Sequence, residues 1–120
     1  MVENKKVLLF GGSGKLGAAL LSTPHPNLEI YAPSHRMCDI TDEKQVTNEI
    51  KGFNPYMVIN LAALVGTKEC ELNQELAWRT NVLGPLNISR VCASKGIRHV
   101  FTSSAAIFNG VKGNYAETDP

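Results

Sequence analysis

Short apolar runs alternate along this chain with segments whose apolar residues recur at helical spacing. The run from Lys6 to Phe10 has no alternating polar positions, which predicts a strand buried on both faces, as strands of parallel sheets are. Similar runs follow, and helical periods lie between them. The pattern predicts strands at 6–10, 28–32, 57–63 and 97–103, a short extended piece at 37–40, and helices at 14–21, 41–53 and 73–95.

Capping and breaking residues refine these elements. Thr41 is a good N-cap for the second helix, and Gly52 and Pro55 are expected to end it. We expect the third helix to be interrupted near Gly84 and Pro85. The Gly- and Asn-rich residues after Ser104 are expected to form a loop.

Strands that alternate with helices predict right-handed crossovers and a parallel sheet covered by helices on both faces. We therefore expect an α/β fold, a Rossmann-type doubly wound parallel sheet that is incomplete on its C-terminal side. The first strand should be central between the second and third, with the fourth outside the third. Residues 1–120 are expected to form the N-terminal portion of one NAD(P)-binding domain.

Composition excludes several classes of protein. Twelve Lys and Arg against eleven Asp and Glu give a net charge of +1, which does not favour nucleic-acid binding. No apolar run approaches the ~20 residues that span a bilayer, and no signal-peptide core follows the N-terminal MVENKK, so we expect a cytoplasmic protein without a membrane partner. Cys38, Cys70 and Cys92 form no metal-binding pattern and are expected to be reduced thiols.

The segment GGSGKLG lies between the first predicted strand and the first predicted helix. Backbone N–H groups at a helix start bind phosphate, and glycines allow the pyrophosphate to come close. Both the dinucleotide spacing (Gly12, Gly14, Gly17) and the spacing of short-chain dehydrogenase/reductases (Gly11, Gly14, Gly17) are present. The alternative is a glycine turn without ligand, which the strand–turn–helix context disfavours. The candidate residues are Gly11, Gly12, Ser13, Gly14, Lys15, Leu16 and Gly17.

The second predicted strand ends without the acid that would hold a ribose 2′-hydroxyl, and PSHR (33–36) stands there instead. Ser34, His35 and Arg36, together with Lys15, are suited to a 2′-phosphate, so NADP is favoured over NAD. A solvated basic loop is the alternative. Asp39 is a candidate acceptor for the adenine amino group, and a turn or cap role is the alternative for it.

Six segments in order resemble the N-terminal part of the extended short-chain dehydrogenase/reductases, and specifically the dTDP-4-dehydrorhamnose reductase branch. They are GGSGKLG, CDITD, VINLAA, ELAWRTNVLGPLNIS, VFTSSAAIFNG and KGNYAETDP. The non-catalytic regulatory subunit of methionine adenosyltransferase is also similar to this branch. The most specific element is Phe108-Asn109-Gly110 with the segment that follows it to Pro120.

The resemblance implies further site residues. Asp39 and Ile40 match the adenine contact, and Ala62 and Ala63, with Leu61 before them, match the small residues beside the nicotinamide ribose. Asn81 matches a helix asparagine that holds the active-site architecture, and Ser104 matches the catalytic hydroxyl that hydrogen-bonds the substrate carbonyl. From the residues alone, a helix-facing amide and a strand-end hydroxyl are the alternatives for these last two.

Two departures from the branch affect the interpretation. Ser104-Ala105-Ala106 stands where the branch usually has Thr-Asp-Tyr, and it is closer to sugar-nucleotide epimerases and dehydratases. The family's Tyr-x-x-x-Lys does not occur in these residues, since Asp119 stands four positions after Tyr115. Without that tyrosine the proton donor is missing, so the 120-residue chain is expected to be inactive alone.

The resemblance implies the cofactor-binding part of an NADP-dependent reductase of a nucleoside-diphosphate 4-keto-6-deoxysugar. Its partner would be a nucleotide-sugar substrate in the full-length form, with a homo-oligomer as a further expectation. Two alternatives stay open. One is a non-catalytic NADP-binding regulatory subunit, and the other is an NAD-dependent sugar-nucleotide epimerase or dehydratase.

Overall fold

The computed structural model describes residues 3–120, so Met1 and Val2 of the N-terminal segment lie outside it. Four parallel strands form one sheet in the order β2-β1-β3-β4, which confirms the expected order and the Rossmann-type α/β architecture. The strands are β1 (Lys5–Phe10), β2 (Leu28–Tyr31), β3 (Met57–Asn60) and β4 (Arg98–Phe101).

Helices connect each strand to the next. The crossover from β3 to β4 is the longest and consists of three α-helices and one π-helical segment in succession. The helices are α1 (Lys15–Ser22), α2 (Glu43–Phe53), α3 (Thr67–Leu72), α4 (Gln74–Trp78) and α5 (Gly84–Lys95), with the π-helical segment at Arg79–Leu83 and a 3₁₀ turn at Ala105–Ile107.

The main core lies between the sheet and the packed pair α2 and α5. Leu8 and Phe10 alternate along β1 with Val7 and Leu9, so the two pairs point to opposite faces, and all four are at most 2% exposed. Burial of β1 on both faces confirms that its unbroken apolar run marks a central parallel strand. On the outer edge of the sheet, by contrast, Phe101 of β4 is 50% exposed.

The start of α2 corrects the predicted cap. The carboxylate of Asp42, not Thr41, accepts the backbone N–H groups of Lys44 and Gln45, at 2.9 and 3.2 Å. These hydrogen bonds, that of Gln45 first, lower the pKa of Asp42 because they favour its charged form. At the other end Gly52 is still helical, and Asn54 ends the helix in the left-handed conformation with φ 51°.

Three strands are shorter than predicted, and β2 and β4 end at Tyr31 and Phe101 rather than at residues 32 and 103. The 37–40 piece is not a strand, because the backbone N–H groups of Met37 and Cys38 both donate to the carbonyl of Ser34 and close a turn. Strand β3 ends at Asn60 rather than at residue 63. There the side chain of Asn60 accepts the N–H of Ala62 at 3.1 Å and turns the chain out of the sheet.

The helical interruption is real, but it lies just before Gly84 and takes the form of the π-helical segment. Pro85 lacks an N–H and its ring crowds the preceding turn, which a π-bulge relieves. Three apolar side chains of this crossover are exposed, since Leu76, Val82 and Leu86 are 50%, 41% and 41% exposed. The buried residues of α5 are Gly84, Pro85, Asn87, Ile88, Val91 and Cys92.

Two further observations concern the described residues as a whole. Within 3–120, no helix is both long enough and apolar enough to cross a membrane. Cys38, Cys70 and Cys92 are free thiols.

Candidate functional site

A cavity of about 710 Å³ lies at the carboxyl edge of the sheet. Its wall comes from the loops that follow β1, β2 and β3 and from the π-helical segment. Open parallel α/β sheets bind ligands at this edge, in the crevice beyond the strand ends where the chain order reverses. The order β2-β1-β3-β4 places that reversal between β1 and β3, and β1 is the strand that leads into the glycine turn.

The glycine turn forms the centre of the wall. Neither Gly11 nor Gly17 has room for a side chain. Gly11 has φ +85°, and a Cβ there would lie 2.5 Å from the backbone N of Ala62. A Cβ on Gly17 would lie 2.2 Å from the carbonyl oxygen of Gly11. The three segments after β1, in α1 and after β3 therefore meet through backbone alone.

The start of α1 is open to a ligand. Gly14 is the N-cap residue and supplies no side-chain hydrogen bond to the first turn. The first N–H groups of a helix lack intrahelical partners, and together with the helix dipole they favour an anion. Gly11, Gly12, Ser13 and Gly14 line the cavity, whereas Lys15 and Leu16 are exposed outside the wall and Gly17 is buried behind it.

The loop after β2 contributes some of the expected basic residues and not others. Ser34 and His35 line the cavity. Arg36 is exposed in the turn that follows and is not part of the wall. The buried Cys38 also lines the cavity, and burial raises the pKa of its thiol to about 11, so the thiol stays neutral at physiological pH and presents an uncharged surface.

Asp39 is held in a fixed orientation at one end of the cavity. Its Oδ1 accepts the backbone N–H and the hydroxyl of Thr41 at 2.9 and 2.8 Å, and its own N–H donates to Oε1 of Gln45. Within residues 3–120 its Oδ2 has no hydrogen-bond partner and is available to an N–H donor of a ligand. The neighbouring Ile40 also lines the cavity, and its carbonyl accepts the side-chain amide of Asn87 at 3.0 Å.

The loop after β3 forms the next part of the wall, with Leu61, Ala62 and Ala63. Asn81 fixes the continuation of this loop through both ends of its side-chain amide. Its Oδ1 accepts the N–H of Leu64 at 2.8 Å, and its Nδ2 donates to the carbonyl of the same residue at 2.9 Å. Asn81 thus ties the loop to the π-helical segment without lining the cavity.

Ser104 lies in a different place. Its Oγ accepts the N–H of Ala106 at 3.1 Å, as the cap of the 3₁₀ turn. It lines a second cavity of about 590 Å³, together with Phe108 and Tyr115, whose rings stack with centroids 4.5 Å apart. The structure therefore does not bring Ser104 into the cavity that contains the glycine turn.

The sequence pattern did not indicate Arg79, which lines the first cavity with Leu76 and Thr80. Helical periodicity could not place it, because the face that a residue presents after α4 depends on the π-helical turn. Within residues 3–120, no cluster of three His, Cys, Asp or Glu side chains is arranged to hold a metal ion.

Fold and site together define an α/β protein of Rossmann topology with an open cavity at its glycine turn. Residues 5–120 match the RmlD substrate binding domain family, and the chain belongs to that family.

The chain is similar to three further proteins of known name. The dTDP-4-dehydrorhamnose reductase of Aggregatibacter actinomycetemcomitans is 30% identical over 95% of this chain. The methionine adenosyltransferase 2 subunit beta of Bos taurus is 25% identical over 98% of it. The crystal structure of dTDP-4-dehydrorhamnose reductase from Bacillus anthracis str. Ames in complex with NADP superposes with a TM-score of 0.88 at 25% identity over 94% of this chain. The chain spans 40%, 38% and 41% of these three proteins.

Proposed function

We propose that this chain is the cofactor-binding part of an NADP-dependent reductase that acts on a nucleoside-diphosphate 4-keto-6-deoxysugar. The observation that carries the proposal is the glycine turn, where a Cβ at Gly11 or Gly17 would occupy space that the backbone fills at 2.5 and 2.2 Å. That turn leaves the N–H groups of α1 open to the pyrophosphate. The similarity to a reductase in complex with NADP supports the same cofactor here.

In this proposal the wall residues bind and orient the cofactor. The start of α1 holds the pyrophosphate, Ser34 and His35 face the 2′-phosphate, and the free oxygen of Asp39 accepts the adenine amino group. Ala62 and Ala63 leave room for the nicotinamide ribose, because larger side chains would occupy that space. When bound, NADPH supplies the hydride. Ser104 is proposed to hydrogen-bond the substrate carbonyl from the second cavity.

The first prediction concerns cofactor preference. The chain is expected to bind NADPH more tightly than NADH by about 5- to 150-fold, because charge-assisted hydrogen bonds to a phosphate contribute about 1 to 3 kcal/mol. Arg36→Ala should reduce this preference, because Arg36 follows Ser34 and His35 in the same loop and its exposed guanidinium is free to contact the 2′-phosphate. Isothermal titration calorimetry with both cofactors measures the two affinities.

Arg90→Ala is the matched control for that experiment, since Arg90 is exposed on α5 and lies outside the cavity wall. It should leave both affinities unchanged. Equal affinity of the wild-type chain for NADPH and NADH would contradict the NADP assignment. An unchanged preference in Arg36→Ala would also contradict it, because the basic residues after β2 would then not bind the 2′-phosphate as proposed.

A second prediction concerns catalysis by these residues alone. The 120-residue chain should not reduce a dTDP-4-keto-6-deoxysugar measurably, because Tyr-x-x-x-Lys does not occur in it and positioned proton transfer typically contributes about 10²- to 10⁴-fold. NADPH oxidation followed by absorbance is the assay, with enzyme-free buffer as the control. Turnover above that background would show that another group donates the proton.

A regulatory subunit is the second candidate function. The similarity to methionine adenosyltransferase 2 subunit beta over 98% of the chain favours it. Both candidates require NADPH to bind, so the discriminating experiment is turnover of the 4-keto sugar by the complete protein that contains this chain. Turnover supports the reductase, and NADPH binding without turnover supports the regulatory subunit.

A further inference from the structure

Arg79 lines the first cavity, which contains the glycine turn, although the sequence pattern did not predict a function for it. It stands at the start of the π-helical segment, and its Nη2 lies 3.5 Å from the hydroxyl oxygen of Thr41. That hydroxyl in turn donates to Asp39. Arg79 is therefore connected through the neutral side chain of Thr41 to Asp39, which also lines the cavity.

The guanidinium of Arg79 is not neutralised by the protein. Within residues 3–120 the single ion pair joins Lys112 to Asp119, and no carboxylate lies within salt-bridge distance of Arg79. The side chain is exposed at the rim of the cavity. A planar guanidinium held at one edge by a hydroxyl keeps a flat face available to an aromatic ligand group.

The strand order indicates which part of a dinucleotide Arg79 would meet. Along the carboxyl edge the loop after β2 comes first, then the glycine turn after β1, and then the loop after β3. A pyrophosphate at the glycine turn therefore leaves one nucleoside on the β2 side, where Thr41 and Asp39 lie. Arg79 reaches this side from the β3–β4 crossover and touches Thr41.

We infer that the guanidinium of Arg79 covers the adenine ring of the bound cofactor, while Asp39 accepts its amino group. This inference rests on the proposed function. In the proposed function Ser34 and His35, in the loop that follows β2, contact the 2′-phosphate. Arg79 instead lies against Thr41, next to the proposed adenine contact at Asp39. A contact with the base would serve NADPH and NADH equally, and a contact with the 2′-phosphate would serve NADPH alone.

The test is calorimetric titration of the wild-type chain, Arg79→Ala and Arg79→Lys with NADPH and with NADH. Arg79→Ala should weaken both affinities by the same factor, roughly 3- to 30-fold, as expected for loss of a cation–π contact. Arg79→Lys keeps the positive charge but lacks the planar guanidinium, so it should recover only part of the affinity that Arg79→Ala loses. Arg90→Ala is the matched control and should change neither affinity.

Three results would overturn the inference while the wild-type chain still binds NADPH. They are unchanged affinity in Arg79→Ala, a loss confined to NADPH, and full recovery in Arg79→Lys. Because Arg79 is exposed, the free Arg79→Ala variant should unfold at the wild-type temperature. If Arg79→Ala does not fold, Arg79→Lys replaces it in the titration. We expect it to lose less affinity, and equally for NADPH and NADH. A wild-type chain that binds neither dinucleotide would overturn the proposed function itself.

Discussion

Gly17→Ala is expected to disrupt both the stability and the nucleotide binding of this chain. The added Cβ would lie 2.2 Å from the carbonyl oxygen of Gly11 and 2.7 Å from Cα of Gly12. Both neighbours are backbone atoms, so α1 must move away from the turn. We expect the free energy of unfolding to fall by about 1 to 3 kcal/mol, as for overpacking in a core. NADPH affinity should fall by at least ~10-fold, because the N–H donors of α1 move with the helix.

Gly52→Ala is the matched control for that substitution. Gly52 lies inside α2, and a Cβ there would meet no atom within 4 Å. Alanine should therefore raise the free energy of unfolding by about 0.5 to 1 kcal/mol through helix propensity, with NADPH affinity unchanged. Chemical denaturation and calorimetry measure both quantities. A Gly17→Ala chain that matches the wild type in both would contradict the backbone contact at this turn.

Asn81→Ala is expected to release the loop that follows β3. The substitution removes both hydrogen bonds to Leu64, at 2.8 and 2.9 Å, and leaves a partly buried N–H and carbonyl without their partners. The free energy of unfolding should fall by about 1 to 3 kcal/mol. NADPH affinity should fall as well, because Ala62 and Ala63 belong to the same loop. Chemical denaturation and NADPH titration are the measurements.

Asn48→Ala is the control for Asn81, since Asn48 is exposed on α2 and makes no side-chain hydrogen bond within residues 3–120. Its free energy of unfolding should stay within about 0.5 kcal/mol of the wild type. If Asn81→Ala behaved like Asn48→Ala in both measurements, the two hydrogen bonds to Leu64 would not hold the loop in solution.

The sequence predicted the sheet better than the ends of its elements. Buried strands need apolar residues, and close backbone contacts need glycine, so residue type alone indicated the strands and the glycine turn. The alternation of these strands with helices then predicted the strand order. Element ends depend on specific side-chain hydrogen bonds. Thr41 and Asp42 are both good caps by type, and only the geometry shows that Asp42 bonds to the N–H groups of α2 while Thr41 bonds to Asp39.

Residue type also predicted some residues of the candidate site, whereas others depended on backbone geometry. Gly11 to Gly14 could be placed at the wall because their role follows from the strand–turn–helix context. The sequence could not show which of Arg36 and Arg79 lines the cavity. Arg36 lies in a turn, and Arg79 is the first residue of the π-helical segment. The direction of each side chain depends on backbone geometry that periodicity does not encode.

We propose that NADP binds in the cavity formed by the glycine turn and the loops after β2 and β3. The most direct test is a titration of the isotopically labelled chain with NADPH, followed by the NMR shifts of its backbone amides. We expect saturable shifts that are largest at 11–15, 34–41 and 61–63, with little change in the amides of α5. No saturable shift, or shifts centred on 103–119 around the second cavity, would contradict it.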